Sequence, residues 1–160
     1  AHLAGALFAT LSDIQLAHIP YKSTAQSVVD LISGRLEMQF ATIAPSLANI
    51  RAGQLRALAV TSKKRVEALP DVPTMDEAGV RGYEAVLWFA LVGPAKLPAN
   101  IAIRLNREVN EILNTPEMKD ALAQQGFVTE GGPPGTVSEQ IRADIAKWRE
   151  VIPKAGITAQ

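Results

Sequence analysis

Residues 18–40, "HIPYKSTAQSVVDLISGRLEMQF", place a β-type run, a polar corner, a helical stretch and a second β-type run in direct succession. Ser23 and Gln26 have the spacing of a capping box, in which a helix-starting hydroxyl and a residue three places on satisfy each other's backbone N–H groups. Ala25, Val28, Val29 and Ile32 make one apolar face, and Gly34 stands where a helix end favours a left-handed residue. Leu36, Glu37, Met38, Gln39 and Phe40 then alternate apolar with polar, the pattern of a strand with one solvated face. Strand, helix and strand at this separation predict a right-handed βαβ crossover.

The neighbouring segments extend that reading. Leu3, Leu7, Phe8 and Leu11 fall at helical spacing, and the pattern fails at Asp13, which predicts a helix over 2–11. "LAHIPY", 16–21, reads as a buried strand, with Pro20 near its end where a missing N–H does least harm. Pro45 belongs to the first turn of a further helix that stops at Gly53, and "LRALAV", 55–60, is a third strand. This alternation makes residues 1–94 an α/β unit with a parallel sheet. It continues through the polar loop "TSKKRVEALPDVP", a short helix opened by Thr74 with Glu77 and closed by Gly79, and the β-rich "YEAVLWFALVGP", 83–94.

From Pro98 the period changes. Ile101, Leu105, Val109, Ile112 and Leu113 stripe one helix, and Met118, Ala121 and Leu122 stripe a second that stops at Gly126. A last helix opens at Thr136, with Glu139 three residues on, and carries Val137, Ile141, Ile145, Trp148 and Ile152. Residues 95–160 are thus helical apart from "FVT", and "GGPPG", 131–135, has neither the spacing nor the lysine of a phosphate loop.

Composition narrows the function classes. Sixteen Lys and Arg balance sixteen Asp and Glu in 160 residues, so no net field recruits nucleic acid or an anionic membrane. The absence of cysteine removes thiol catalysis, thiolate metal sites and disulfides. The apolar run Ala85–Val92 is far shorter than the eighteen or so residues of a membrane span. "AHLAGALFATLSD" lacks the basic leader of a signal peptide and reads as a helix already under way, which predicts that the chain begins inside a domain.

In parallel α/β sheets ligands gather beyond the carboxyl ends of strands, where helix N-termini present free N–H groups. Two such corners are legible: Tyr21, Lys22, Ser23 and Thr24, then Ala41 and Thr42 before the Pro45 helix. The plainer alternative has Ser23 capping, Tyr21 packing and Lys22 in solvent. Trp88 and Phe89 either belong to the core or wall a cleft. His2 and His18 lack metal-ligand spacing to each other, no catalytic motif is present, and "TSKKR" is a small basic cluster without interleaved aromatics, expected to be a solvated loop.

Several segments together resemble a known family. "HIPYKSTAQSVVDLISGRLEMQF", "IRAGQLRALAVTSKKRVEALPDVPTMDEAG", "WFALVGPAKLPANIAIRLNREVNEIL" and "IRADIAKWREVIPKAGI" are similar to the substrate-binding proteins of tripartite tricarboxylate transporters, the Bug family. The resemblance implies the type II periplasmic binding-protein fold: two α/β lobes closing over a small organic carboxylate for delivery to a membrane permease, in the periplasm, with no cofactor, metal or catalysis. It implies that residues 1–94 are the second lobe, that 95–160 pack on a first lobe absent from this sequence, and that Tyr21, Lys22, Ser23, Thr24, Ala41, Thr42, Trp88 and Phe89 line the cleft. Ser23 stands where the family usually has glycine, Ala41 where it often has aspartate, and Ala90 where glycine is common. The uncovered stripes must pack on the 1–94 unit or on another chain, which predicts dimerisation, as a homodimer, or domain swapping. Two other classes remain open: an effector-sensing domain of a transcriptional regulator, which would need a recognition helix not found here, and a small α/β enzyme with an unrecognised site.

Overall fold

The computed structural model describes residues 1–157, whose regular structure is six helices: α1 (His2–Ser12), α2 (Thr24–Ile32), α3 (Ile43–Arg51), α4 (Ala99–Asn114), α5 (Pro116–Ala123) and α6 (Thr136–Lys154). Each lies where the 3.6-residue spacing puts it. The last three positions of the 95–160 segment lie outside the described residues. Gly126, at φ 78°, ends the chain's turn after α5 so close to α3 that a Cβ there would stand 2.7 Å from Ile43 Cβ. Glycine meets both demands.

The core forms where the two ends of the chain meet. α1 packs on α6, and between them Leu7, Met75, Tyr83 and Val151 are buried, flanked by Phe8, Phe40, Ala59, Val80, Ala85 and Trp148. Burying each large apolar side chain contributes about 1.5–3 kcal/mol. The Tyr83 hydroxyl donates to Ala4 O (2.9 Å), which ties the 74–83 turn to α1. Elsewhere the "GGPPG" loop is pinned to α4: Asn110 Oδ1 accepts from Gly132 N (2.7 Å), and Asn110 Nδ2 donates to Gly132 O (3.0 Å). A Cβ at Gly131 would collide with that same Asn110 side chain.

The expected parallel sheet is not formed among the described residues. None of 16–21, 36–41, 55–60 or 83–94 is a strand, and the single β-bridge is a parallel one between Val60 and Thr74, made by Val60 N to Pro73 O (2.8 Å) and Met75 N to Val60 O (3.0 Å). The physical reason lies in the side chains. A parallel sheet is stable only with both faces covered, whereas Ile19, Met38 and Leu58 stand in solvent and the 86–92 run has lost its cover almost entirely, with Phe89 75% and Val92 77% exposed. Ala85 N reaches Thr61 O (3.0 Å), and no further backbone bond joins 86–92 to a neighbour among the described residues.

Smaller expectations fare unequally. Thr74 and Glu77 do form the reciprocal capping pair (Thr74 N to Glu77 Oε2, 2.8 Å; Glu77 N to Thr74 Oγ1, 3.1 Å), but around a single turn rather than a helix. Ser23 is the N-cap residue of α2 without any side-chain cap bond, so its box with Gln26 is absent. On α2 the buried residues are Ser27, Val28 and Asp30, while Val29 and Ile32 are exposed. α6 likewise buries Val151, which lies off the stripe read from its sequence; of that stripe, Ile141 and Ile145 are exposed.

Candidate functional site

The chain turns into α2 through Tyr21–Thr24 and into α3 through Ala41–Thr42, and the two helices are neighbours. Both N-caps have extended backbone, Ser23 at φ −141°, ψ 133° and Thr42 at φ −69°, ψ 148°, and neither hydroxyl caps its own helix. The first-turn N–H groups of both helices are therefore left without side-chain acceptors, each at the positive end of a helix dipole. Neither helix carries an acidic residue in its first turn.

Tyr21 does something else. Its hydroxyl donates to Asp30 Oδ2 (2.8 Å), and Arg35 Nη1 donates to Asp30 Oδ1 (3.2 Å), so the buried Asp30 carboxylate ties the chain on both sides of α2 to the helix. The bond to Asp30 pushes the Tyr21 phenol above its ordinary range. Tyr21 thereby fixes the entry angle of the corner, with its hydroxyl committed to the helix. One turn further back, Ser27 Oγ donates to Thr24 O (2.9 Å) and accepts from Gln39 Nε2 (2.8 Å), joining the first corner to the segment that leads to the second. Gln39 Oε1 is buried without a partner. Asp30, Ser27 and Gln39 escaped the sequence reading because their side-chain partners are five to twelve residues away. The one available signal was an aspartate inside a helix with Tyr21 and Arg35 on either flank.

Tyr21, Ser23, Thr24, Ala41, Thr42, Trp88 and Phe89 all border one open hollow of about 4080 Å³, as more than half of the described residues do; Lys22 does not. Closed sites for small molecules measure roughly 300–1,000 Å³, so these residues surround a space they do not enclose. The two aromatics lean toward the C-terminal helices. Trp88 Nε1 donates to Asp144 Oδ2 on α6 (2.7 Å), and Phe89 meets Phe127 edge-on, with ring centroids 5.8 Å apart. His2 and His18 stack in parallel at 3.8 Å; burial first, then the charge of His18, holds His2 below its usual pKa. No cluster of three or more metal-binding side chains exists among the described residues. The basic loop is paired with acidic residues beyond it, Lys63 with Glu84 (3.2 Å) and Arg65 with Glu77 (2.9 Å).

Solved structures place this architecture among the periplasmic binding proteins. The Rpa4515 protein of R. palustris, solved with adipate, superposes with a TM-score of 0.86 at 35% identity over 98% of this chain and 52% of its own. The periplasmic binding protein BugD matches with a TM-score of 0.80 at 30% identity over all of this chain and 54% of its own. The model of the tripartite tricarboxylate transporter family receptors matches residues 1–157, and the chain belongs to that family. It is a family of solute-binding receptors, not of enzymes. A curated relative from Pseudomonas sp. strain P51, the UPF0065 protein in the tcbD-tcbE intergenic region, is 36% identical over 152 residues, 94% of this chain and 45% of the relative. Another, the UPF0065 protein in the clcB-clcD intergenic region of Pseudomonas knackmussii, is also 36% identical over 152 residues, and there the match takes in 90% of the relative. The chain spans about half the length of the other relatives it matches.

Proposed function

We propose that this chain contributes one wall of a periplasmic receptor for a small organic carboxylate, which the assembled receptor hands to the membrane permease of a tripartite tricarboxylate transporter. The observation that carries the reading is the pair of helix N-termini, α2 and α3, whose N-cap residues Ser23 and Thr42 make no side-chain cap bond and border the same hollow. A carboxylate supplies the acceptors and the negative charge that both helix ends lack. The adipate in the Rpa4515 structure is of the same chemical class. With alanine at position 41 the second corner brings no carboxylate of its own, which favours a ligand without an amino group. In this reading residues 1–94 form the second lobe, Ser23, Thr24, Ala41 and Thr42 meet the ligand, Tyr21 orients the corner, and Trp88 and Phe89 mark the crossover.

The openness of the hollow sets the expected affinity. A small anion is held tightly only when closure removes it from water, and this chain alone offers no opposing wall. Isothermal titration of the 160-residue chain with adipate should show no micromolar complex, whereas the product of the native gene expressed with its upstream DNA should bind a dicarboxylate. A micromolar complex with the 160 residues would show that this chain makes a complete site; failure of the native product to bind any dicarboxylate would overturn the receptor reading.

A further inference from the structure

Contacts from two sides converge on residues 84–88. From one side, Ala85 N donates to Thr61 O (3.0 Å) and Lys63 pairs with the Glu84 carboxylate (3.2 Å). From the other, α6 reaches across with two side chains one turn apart: Lys147 Nζ donates to Glu84 O (3.1 Å), and Asp144 Oδ2 accepts from Trp88 Nε1 (2.7 Å). Both α6 groups are partly buried and themselves held. Lys147 stands 3.7 Å from Asp144 Oδ1 with its charge over the Trp148 ring, and Gln140 Nε2 donates to Asp144 Oδ1 (3.3 Å). Hydrogen bonds in which one partner is ionised are the stronger ones.

The next residue belongs elsewhere. Phe89 lies edge-on against Phe127, in the turn after α5, and α5 packs on α4. Among the described residues α6 packs on α1 and on no other helix. The chain therefore passes from one packed unit to another between Trp88 and Phe89, and α6, although it follows α4 and α5 in sequence, sits with the first unit. We propose that Asp144 and Lys147 are positioning residues of the receptor: by clamping Trp88 and Glu84 to α6 they fix the direction in which the chain leaves the α1–α6 unit, so that closure over a ligand bends only the residues after Trp88. Closure of this kind is absorbed by a few residues at the end of an element. With the clamp released, the crossover must be ordered anew on each binding event, which lowers affinity without altering any group at the ligand. The link to closure rests on the receptor reading above; the clamp rests on these contacts alone.

The product of the native gene, expressed with its upstream DNA, is titrated with adipate and its shorter and longer homologues as wild type and as three variants. Asp144→Leu, which removes the acceptor, should weaken binding about tenfold. Asp144→Asn, which keeps an oxygen for Trp88 Nε1, should bind as the wild type does, and Lys147→Met should weaken binding in the same direction as Asp144→Leu. In the 160-residue chain carrying Trp148→Phe, Trp88 is the only tryptophan and reports the clamp without a ligand. Its emission should move to the red and its anisotropy fall with Asp144→Leu but not with Asp144→Asn. Wild-type affinity in Asp144→Leu overturns the inference and leaves the receptor reading standing; where that variant does not fold, wild-type affinity in Lys147→Met does the same. An equal loss in Asp144→Leu and Asp144→Asn would assign the effect to charge and overturn the hydrogen-bonded clamp. A wild-type product that binds none of the dicarboxylates overturns the receptor reading and the link to closure together, and Trp88 emission and anisotropy unmoved by Asp144→Leu overturn the clamp itself.

Discussion

Tyr83 shows how much one side chain fixes. It is 2% exposed, its ring stacks with Phe40 at 6.4 Å, and its hydroxyl reaches the α1 backbone seventy-nine residues away. Burial pushes its phenol up to about 12. Because the folded chain resists ionising a group that ionises near pH 10 when unfolded, this stabilisation is fully present below pH 10 and is lost as the pH rises toward about 12. Tyr83→Phe should remove that alkaline loss and cost about 1 kcal/mol at neutral pH through the lost hydrogen bond, both measurable by urea denaturation across pH. The same scale explains what the sequence hid. Tyr21 was legible as a corner residue, but nothing in the spacing distinguishes a phenol that faces a ligand from one bonded to Asp30. That choice depends on where α2's second turn falls in space.

At the scale of elements, helices were legible and strands were not. Local spacing and local stop signals determine a helix, and all six elements stand within a few residues of their sequence positions. A strand needs a partner, and the alternation of 36–40 or the apolar run of 55–60 says only that a partner would be welcome. Capping divides along the same line. The Thr74–Glu77 pair, folded against Val60, is formed, whereas Ser23 and Thr42 at the hollow's rim cap nothing. Thr74→Ala should therefore cost about 1–2 kcal/mol of stability, while Ser23→Ala should cost a few tenths at most. Thermal denaturation of the two variants side by side checks the contrast. An equal loss in both would mean that the Ser23 hydroxyl is used by the helix and not kept for a ligand.

At the scale of the whole molecule, order is concentrated in the α1–α6 contact and its aromatic surroundings, while the middle of the chain is held by few long-range bonds. Amide hydrogen exchange should find protection in the helices and at Val60 and Met75, and rapid exchange through 16–20, 37–41 and 86–92. Slow exchange in those segments would show that the sheet read from the sequence does form in solution. The family was legible from the sequence because several motif segments coincide in order. The site was legible only as two corners, since closure of a cleft is a property of two walls. One feature reaches beyond folding and binding. The run from Ala85 to Val92 carries no charge and no proline, and its backbone beyond Ala85 is unpaired among the described residues. Such a segment is a template for fibril growth. Glu84 before it and Gly93–Pro94 after it are the only breaks against strand-by-strand stacking. How long this chain stays in solution is then decided by how quickly those eight residues find a permanent neighbour.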